Sequence, residues 1–412
     1  MKILFASAHL PSSTARQAGS RTSYGICEWL ARNHDIHLLS FATALEAETF
    51  DDAQRSIFKS SRVFPVSNKD RVKGLLRSPS LPTLIAARSS EPFAVAFREI
   101  QRGIPFDVVI LDHGQMLQYL PMCDPRSVTV GSLHDIYSQM WERRTSSEQN
   151  SLKALAYRVE TQRVRRWERS AFQKTDLLVT HSGKDRDIVL SESQPKNPPT
   201  YIHPKIESLR TNLVTAGSRP QNRLLYWGAM NRMENADAVT WAIQEILPRV
   251  RRKIPDAQLY IAGHGSDTIT PSLKSAAGVH VVGFVEDVSA MMASVTAALL
   301  PLRLGAGIKI KTLECMAAGL PVITTDVGAE GTGIQNEVHA LIRETAEELA
   351  DACILILNSS ARAAEISKAG QEKIQEFHEF DQKMQLAWDR VTELVEHKQR
   401  IDFGTGRTRM QP

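Results

Sequence analysis

An α/β protein of two doubly wound domains facing a central cleft is the architecture this sequence predicts, on three observations. The chain has 412 residues, more than the roughly 250–300 over which a single hydrophobic core keeps growing. Short apolar runs of the kind found in buried parallel strands recur in both halves, with helical periodicity between most of them. A proline-rich stretch without helical period, residues 191–222, separates the halves.

In the first half the candidate strands are Ile3–Ala6, Ile36–Phe41, Val63–Val66, Asp107–Leu111, Val128–Leu133 and Leu177–Thr180. Thr22, Ile26, Trp29 and Leu30 fall at i, i+4, i+7 and i+8, one face of a helix between the first two strands. Strand–helix–strand alternation implies a parallel sheet covered on both faces. The second half repeats the scheme with Leu224–Trp227, Gln258–Ala262, Val279–Phe284, Ala297–Pro301, Val322–Thr325 and His339–Ile342. Between its first two strands, Ala236–Val250 presents Val239, Ile243, Ile246, Leu247 and Val250 on one helical face. Pro195, Pro198, Pro199, Pro204 and Pro220 mark the join as a linker. The expected division is therefore 1–205 and 206–378. A C-terminal helix over 379–400 is expected to pack back toward the first domain, and a polar tail to follow over 401–412.

Composition excludes several classes. Fifty basic against 46 acidic residues leave a net charge of +4, too weak a field to argue for nucleic-acid binding. Cys27, Cys123, Cys315 and Cys353 lie far apart among apolar residues, without zinc-ligand spacing. Buried, reduced thiols and a cytoplasmic location are expected. The run Ile3–Ala6 is too short for a secretory core, and no stretch approaches the roughly 18 apolar residues of a membrane span.

Doubly wound sheets bind ligands beyond the carboxyl ends of their strands. No G-x-x-x-x-G-K-[ST] loop, complete G-x-G-x-x-G fingerprint or G-x-S-x-G elbow is present. The strongest segment is Pro301–Gly328, PLRLGAGIKIKTLECMAAGLPVITTDVG. It reads as a strand end, a glycine turn bearing Lys309 and Lys311, and a helix from about Thr312 to Gly319. Gly305 and Gly307 let the backbone approach a ligand, and the helix N-terminus and two lysines suit a diphosphate. Glu314, expected in the first helical turn, suits the vicinal hydroxyls of a ribose.

Glu314-Cys315-Met316-Ala317-Ala318-Gly319-Leu320-Pro321-Val322 resembles the second half of a motif of retaining glycosyltransferases of the GT-B fold, family 4 in particular. There a glutamate, seven residues and a second glutamate precede A-M-A-x-G-x-P-V. The second glutamate corresponds to Glu314, while Ala306 occupies the place of the first. A subgroup with G-x-G-x-K in that stretch is similar to Gly305–Lys309. The strand and loop from Leu224 to Met230 resemble the opening of the family's donor domain, where relatives place an arginine after the glycine and a lysine six residues beyond it. Ala229 and Glu234 stand at those positions. The resemblance thus implies that phosphate charge falls to Lys309, assisted by Lys311 or Arg303, and that Phe284 and Val285 meet the nucleobase.

In the first half, Gln17-Ala18-Gly19-Ser20 is similar to the family's loop facing the donor diphosphate and the acceptor. His134 and Asp135 follow the strand Val128–Leu133, where a doubly wound fold places its chemistry. The resemblance implies that His134 hydrogen-bonds the donor sugar; for Asp135 the alternative is a cap on the next helix. His9 is expected to be a turn residue.

The fold implied is GT-B, with two Rossmann-like domains. The reaction implied is sugar transfer from a nucleotide-sugar donor to a glycan or lipid-linked acceptor, with retention and without a cofactor or metal ion. A nucleotide-sugar 2-epimerase of the same fold and a non-catalytic nucleotide- or glycan-binding partner are the alternatives. One further segment, 158–169, holds five arginines and two glutamates, net +3. It is expected either to pack Trp167 inward as an outer helix or to dock on an anionic membrane surface at the inner membrane face.

Overall fold

A computed structural model describes residues 1–404 except Arg16, Thr49, Gln149, 207–220, Ser266 and Asp267. The middle of the expected linker and the tail from 405 onward lie outside the described residues. The chain forms two compact units, Met1–His203 with Phe380–Pro412, and Pro204–Glu379.

The first unit holds a seven-stranded sheet. Its strands are β1 (Lys2–Ser7), β2 (Asp35–Ala42), β3 (Ser60–Pro65), β4 (Val108–Asp112), β5 (Val128–Leu133), β6 (Leu177–Thr180) and β7 (Thr200–Tyr201), in the order β3-β2-β1-β4-β5-β6-β7. All pair in parallel; Ile3, for example, lies opposite Ile36 on one side and Val108 on the other. Side chains alternate across the sheet. Ile3 and Phe5 join one apolar layer with Ile36, Val108 and Ile110, while Leu4 and Ala6 join another with Val109 and Leu111. Burial on both faces leaves an unbroken apolar run in the sequence. The helix Phe380–Gly404 covers the first layer with Phe380, Met384, Trp388, Val391 and Val395. Lys398 fastens it to Asp176 at 2.8 Å and to the Ser127 carbonyl at 2.8 Å.

The second unit holds β8 (Arg223–Trp227), β9 (Gln258–Ala262), β10 (Val279–Gly283), β11 (Ala297–Leu300), β12 (Val322–Thr324) and β13 (Leu341–Ile342). Their order is β10-β9-β8-β11-β12-β13, again all parallel. One core spans the unit and includes Tyr226, Ile261, Leu299, Leu313 and Ile323. In each sheet the chain winds outward on one side and then reverses, at β1/β4 and at β8/β11. Those two crevices are where this topology receives ligands.

Three local differences from the sequence reading have physical causes. The two-residue β7 falls inside the proline-rich stretch, too short to leave a period. The helix expected over 236–250 is helical over Met233–Trp241 and Leu247–Lys253, with a wider turn at Ala242–Ile246 between. Pro248 lacks an N–H and crowds the preceding turn, which a π-type turn relieves. Its five predicted apolar residues are all buried. The glycine-turn helix runs Ile310–Ala317, starting before Thr312 and ending before Gly319.

Candidate active site

At the first crevice, β1, β4, β5 and β6 end in His9, Asp112–His113, His134 and His181. Asp112 is fully buried. Its carboxylate accepts from the Ser7 and Ser23 hydroxyls, each at 2.7 Å, from His113 Nδ1 at 3.1 Å and from His134 Nε2 at 3.0 Å. Complete burial alone would raise the carboxyl, but the two imidazoles and their hydrogen bonds hold it well below the usual range. The His113 and His134 rings stack at 3.9 Å and 7°, His9 meets His113 edge-on at 4.9 Å, and His181 lies 4.4 Å from His134. Burial, with His113 alongside, lowers His134; burial and His134 bring His181 down to about 3. Both rings are neutral at pH 7.

His113 has φ +70°, a conformation that costs a non-glycine residue energy and persists where surrounding contacts impose it. Gly19 lies in the first turn of the helix Ala18–Ala31, not in the loop expected before it. A β-carbon on Gly19 would come within 3.3 Å of His113 Nε2 and 3.4 Å of His134 Nδ1. Asp135 does not cap the next helix, whose N-cap is Ile136 without a side-chain hydrogen bond. Glu168 instead accepts from the Tyr137 and Ser138 amides at 2.7 and 3.1 Å. His9, expected to be a turn residue, belongs to the ring cluster.

Asp112, His113 and His134 offer three potential metal-ligand atoms within 4.8 Å of one another. The near-parallel rings direct their in-plane lone pairs alongside each other instead of toward one point, and Asp112 is already saturated with donors. That geometry suits hydrogen bonding better than tetrahedral coordination.

At the second crevice the glycine turn has φ +106° at Gly305 and +70° at Gly307, which only glycine adopts without strain. The two lysines diverge. Lys309 is buried and pairs with Glu330 at 3.1 Å, also donating to the Ala306 and Gly307 carbonyls at 2.9 and 2.6 Å. Its ammonium braces the turn. Lys311 donates to Asn235 Oδ1 and lies 5.6 Å from the Tyr226 ring centre. Burial lowers it to about 8, opposed by Glu234. A β-carbon at Gly228, just past β8, would stand 2.9 Å from the Lys311 ammonium. Lys311 thus sits directly beneath the end of β8.

Glu314 lies in the second turn of its helix, not the first, and accepts from Trp227 Nε1 at 2.9 Å. Arg303 forms a two-pronged pair with Asp237, at 3.0 and 2.6 Å, and stacks on Trp241. Phe284 follows β10 and is 57% exposed; Val285 beside it is partly buried. Sequence reasoning missed Asp112, His113 and His181, although each follows or closes a strand as His134 does. It also missed Asn235 and Glu330, which decide what each lysine does.

The arginine-rich segment belongs to the helix Ser151–Lys174. Its apolar stripe faces inward, with Val164 and Ala171 buried and Trp167 packed against the core. Arg163 pairs with Glu160, Arg165 with Glu142 and Glu192, and Arg169 donates to the Glu192 carbonyl. Exposed apolar surface lies ahead of and at the start of the segment, at Leu152, Leu155 and Val159. Among the described residues no helix is long and apolar enough to cross a membrane. A separate cavity of about 860 Å³ in the first unit opens at the amino ends of β1 and β2, beside Lys2 and Asp35, and contains none of these site residues.

Residues 221–359 match the family described as Glycosyl transferases group 1. An uncharacterized 44.6 kDa protein in the cps region of Klebsiella pneumoniae is 28% identical over 127 residues, covering 29% of this chain and 33% of that protein. The matched part thus spans about a third of that relative's length. Sucrose-phosphate synthase from Thermosynechococcus elongatus superposes with TM-score 0.68 at 15% identity, over 96% of this chain and 100% of that one. The Anabaena protein HepE in complex with UDP gives TM-score 0.64 at 13% identity, over 95% and 100%. The fold is GT-B, with two Rossmann-like halves, and the second unit carries a glycosyl transferases group 1 domain.

Proposed function

From that domain and its crevice we propose that the protein is a nucleotide-sugar-dependent glycosyltransferase. It transfers a sugar with retention to a glycan or lipid-linked acceptor, in polysaccharide or glycoconjugate assembly in the cytoplasm. The observation that carries this reading is the coincidence, within the matched segment, of a glycine turn at positive φ, a partly buried lysine and a carboxylate at the switch point of the sheet. A developing diphosphate leaving group needs prepositioned positive charge, and such groups supply a large part of a transfer barrier's reduction. Lys311 supplies that charge. Lys309 holds the turn that carries it, and Arg303 supports the adjacent helix through Asp237. Glu314, oriented by Trp227, accepts from the ribose hydroxyls; Phe284 and Val285 meet the base. His134 hydrogen-bonds the sugar, with Gly19 and Asp135 beside it. No metal ion is required, because the lysine and the backbone amides take the leaving group's charge.

The crystallised HepE complexes contain UDP, UDP and glucose, or UDP-glucose, which favours testing uridine nucleotides first. A thermal-shift screen of UDP, GDP, dTDP and their sugars is the direct experiment. Ligand at 100 times its dissociation constant stabilises by about 2.7 kcal/mol. Absence of a shift with every nucleotide would sink the reading.

A second, independent feature favours peripheral membrane contact. Leu152 is 80% exposed, Leu155 56% and Val159 54%, accompanied by Lys153 and Arg158 with no acidic residue between 151 and 159. Aliphatic side chains flanked by cations suit an anionic lipid surface. On this reading the contact lies at 151–159, ahead of the ion-paired Arg163 and Arg165.

A further inference from the structure

The first crevice contains two acceptor nitrogens whose direction is dictated by a third residue. An ionised carboxylate only accepts hydrogen bonds, so each imidazole nitrogen facing Asp112 carries a proton. His113 is therefore protonated on Nδ1 and His134 on Nε2. That leaves His113 Nε2 and His134 Nδ1 as lone-pair acceptors. They lie on the same side of the stacked rings, since both are brought within 3.4 Å of one point, the place a β-carbon would take on Gly19. The ring centres are 3.9 Å apart, so hydroxyls on adjacent carbons of one sugar ring can each reach one of the two nitrogens. Three features belong to this arrangement: the positive φ of His113, the carboxylate bonded to both rings, and a glycine where any side chain would cover both nitrogens.

We infer that Asp112, His113 and His134 form a vicinal-diol site, in which Asp112 fixes both tautomers and the two imidazoles accept from neighbouring hydroxyls of one sugar ring. The site rests on the glycosyltransferase reading and adds His113 as a second sugar ligand and Asp112 as a positioning residue. Two lone-pair acceptors side by side meet phosphate and carboxylate oxygens with like partial charge, so the site selects a sugar and rejects the nucleotide's charged portion. The diol belongs either to the donor sugar or to the acceptor sugar. Both present the same chemistry.

Four variants of the full-length chain test it. Long-range proton–nitrogen spectra of the histidines should show the Nδ1–H tautomer for His113 and Nε2–H for His134. The opposite tautomer at either ring overturns the pair. Calorimetry then compares UDP, GDP and dTDP with UDP-glucose, GDP-mannose and dTDP-glucose, and separately titrates the methyl glycosides of glucose, galactose and mannose in the presence of the bare nucleotide. His113→Asn shortens the side chain so that no acceptor stands where Nε2 does. Asp112→Asn turns one ring around, because its amide must donate, and His134→Ala removes the other acceptor. Gly19→Ala favours the helix while covering both nitrogens, so it keeps the test decisive if a site variant misfolds.

Each lost acceptor should weaken sugar binding about 10-fold, with bare-nucleotide affinity unchanged. A loss confined to the sugar nucleotides assigns the diol to the donor; a loss confined to the methyl glycosides assigns it to the acceptor. Wild-type sugar affinity in Gly19→Ala and His113→Asn, or nucleotide binding with no added affinity from any sugar, overturns the site. Glycosides bound through the pair with no nucleotide bound would instead overturn the glycosyltransferase reading and leave the diol site standing.

Discussion

The two crevices occupy equivalent places in two similar sheets, yet they are built with opposite electrostatics. In the first, a buried carboxylate is surrounded by hydroxyls and imidazoles, and what the crevice presents outward is lone pairs. In the second, a lysine is drawn down onto Asn235 and Tyr226, and what it presents is positive charge. On the proposed reading, one topology used twice yields a site for uncharged polyols and a site for a polyanion. The difference resides in the residues that close the strands, which is why fold alone does not assign function.

The strongest way to break the comparison is to separate the lysines. Lys309→Met removes the ammonium that pairs with buried Glu330 and should destabilise the second unit by about 3–5 kcal/mol, read as a lower melting midpoint. Lys311→Met should leave the turn intact and weaken UDP binding, or that of the nucleotide found by screening, by about 2–5 kcal/mol. Calorimetry distinguishes the two, and equal effects of both variants on affinity would erase the distinction.

Acidity and alkalinity should probe the crevices one at a time. His134 and His181 have folded values below the unfolded value of about 6.5. The unfolded chain then binds more protons, so stability is lost as pH falls below about 6.5. The slope is about 1.4 kcal/mol per pH unit for each such group, continuing toward the folded value. Denaturant midpoints of the first unit, followed from pH 7 to 5, should fall; a flat profile would contradict buried neutral rings. Lys311, lowered to about 8, loses its charge above that pH. Diphosphate affinity should therefore decline between pH 8 and 9, while sugar contacts at the first crevice do not change.

The smallest effect is expected at the membrane. Replacing Leu152 and Leu155 by serine should reduce binding to vesicles containing anionic phospholipid, and replacing Lys153 should cost about 1 kcal/mol. Co-sedimentation at low and high salt measures both, and vesicle binding that survives all three substitutions would move the contact elsewhere.

Much of the architecture is legible in the sequence because strands buried on both faces cannot afford polar interruptions. Ile3–Ala6 and Val128–Leu133 announce themselves for that reason. Two-residue β7 carries no period, and the wide turn before Pro248 depends on a clash that apolar spacing does not encode. The sites were legible by halves. His134 and Gly305–Lys309 stand at strand ends and in a glycine turn, where local rules find them. Asp112 and His113 obey the same rule at the end of β4, but their significance comes from converging with a strand 20 residues later. Lys309 and Lys311 read alike in a linear chain; Glu330 and Asn235, distant in sequence, give them different tasks. Glu314 shifts by one turn because the helix begins earlier than its glycines suggest.

The helix Phe380–Gly404 imposes an order on biosynthesis. The layer formed by Ile3, Phe5, Ile36 and Val108 is closed by Phe380, Met384 and Trp388, which the ribosome supplies only after the second unit. All 176 residues of the second unit, 204–379, emerge in between. At roughly 5–20 residues per second, one face of the first sheet waits about 10–35 s for its cover. During that interval the nascent chain exposes an apolar surface on its parallel strands, and the second unit can finish folding before the first.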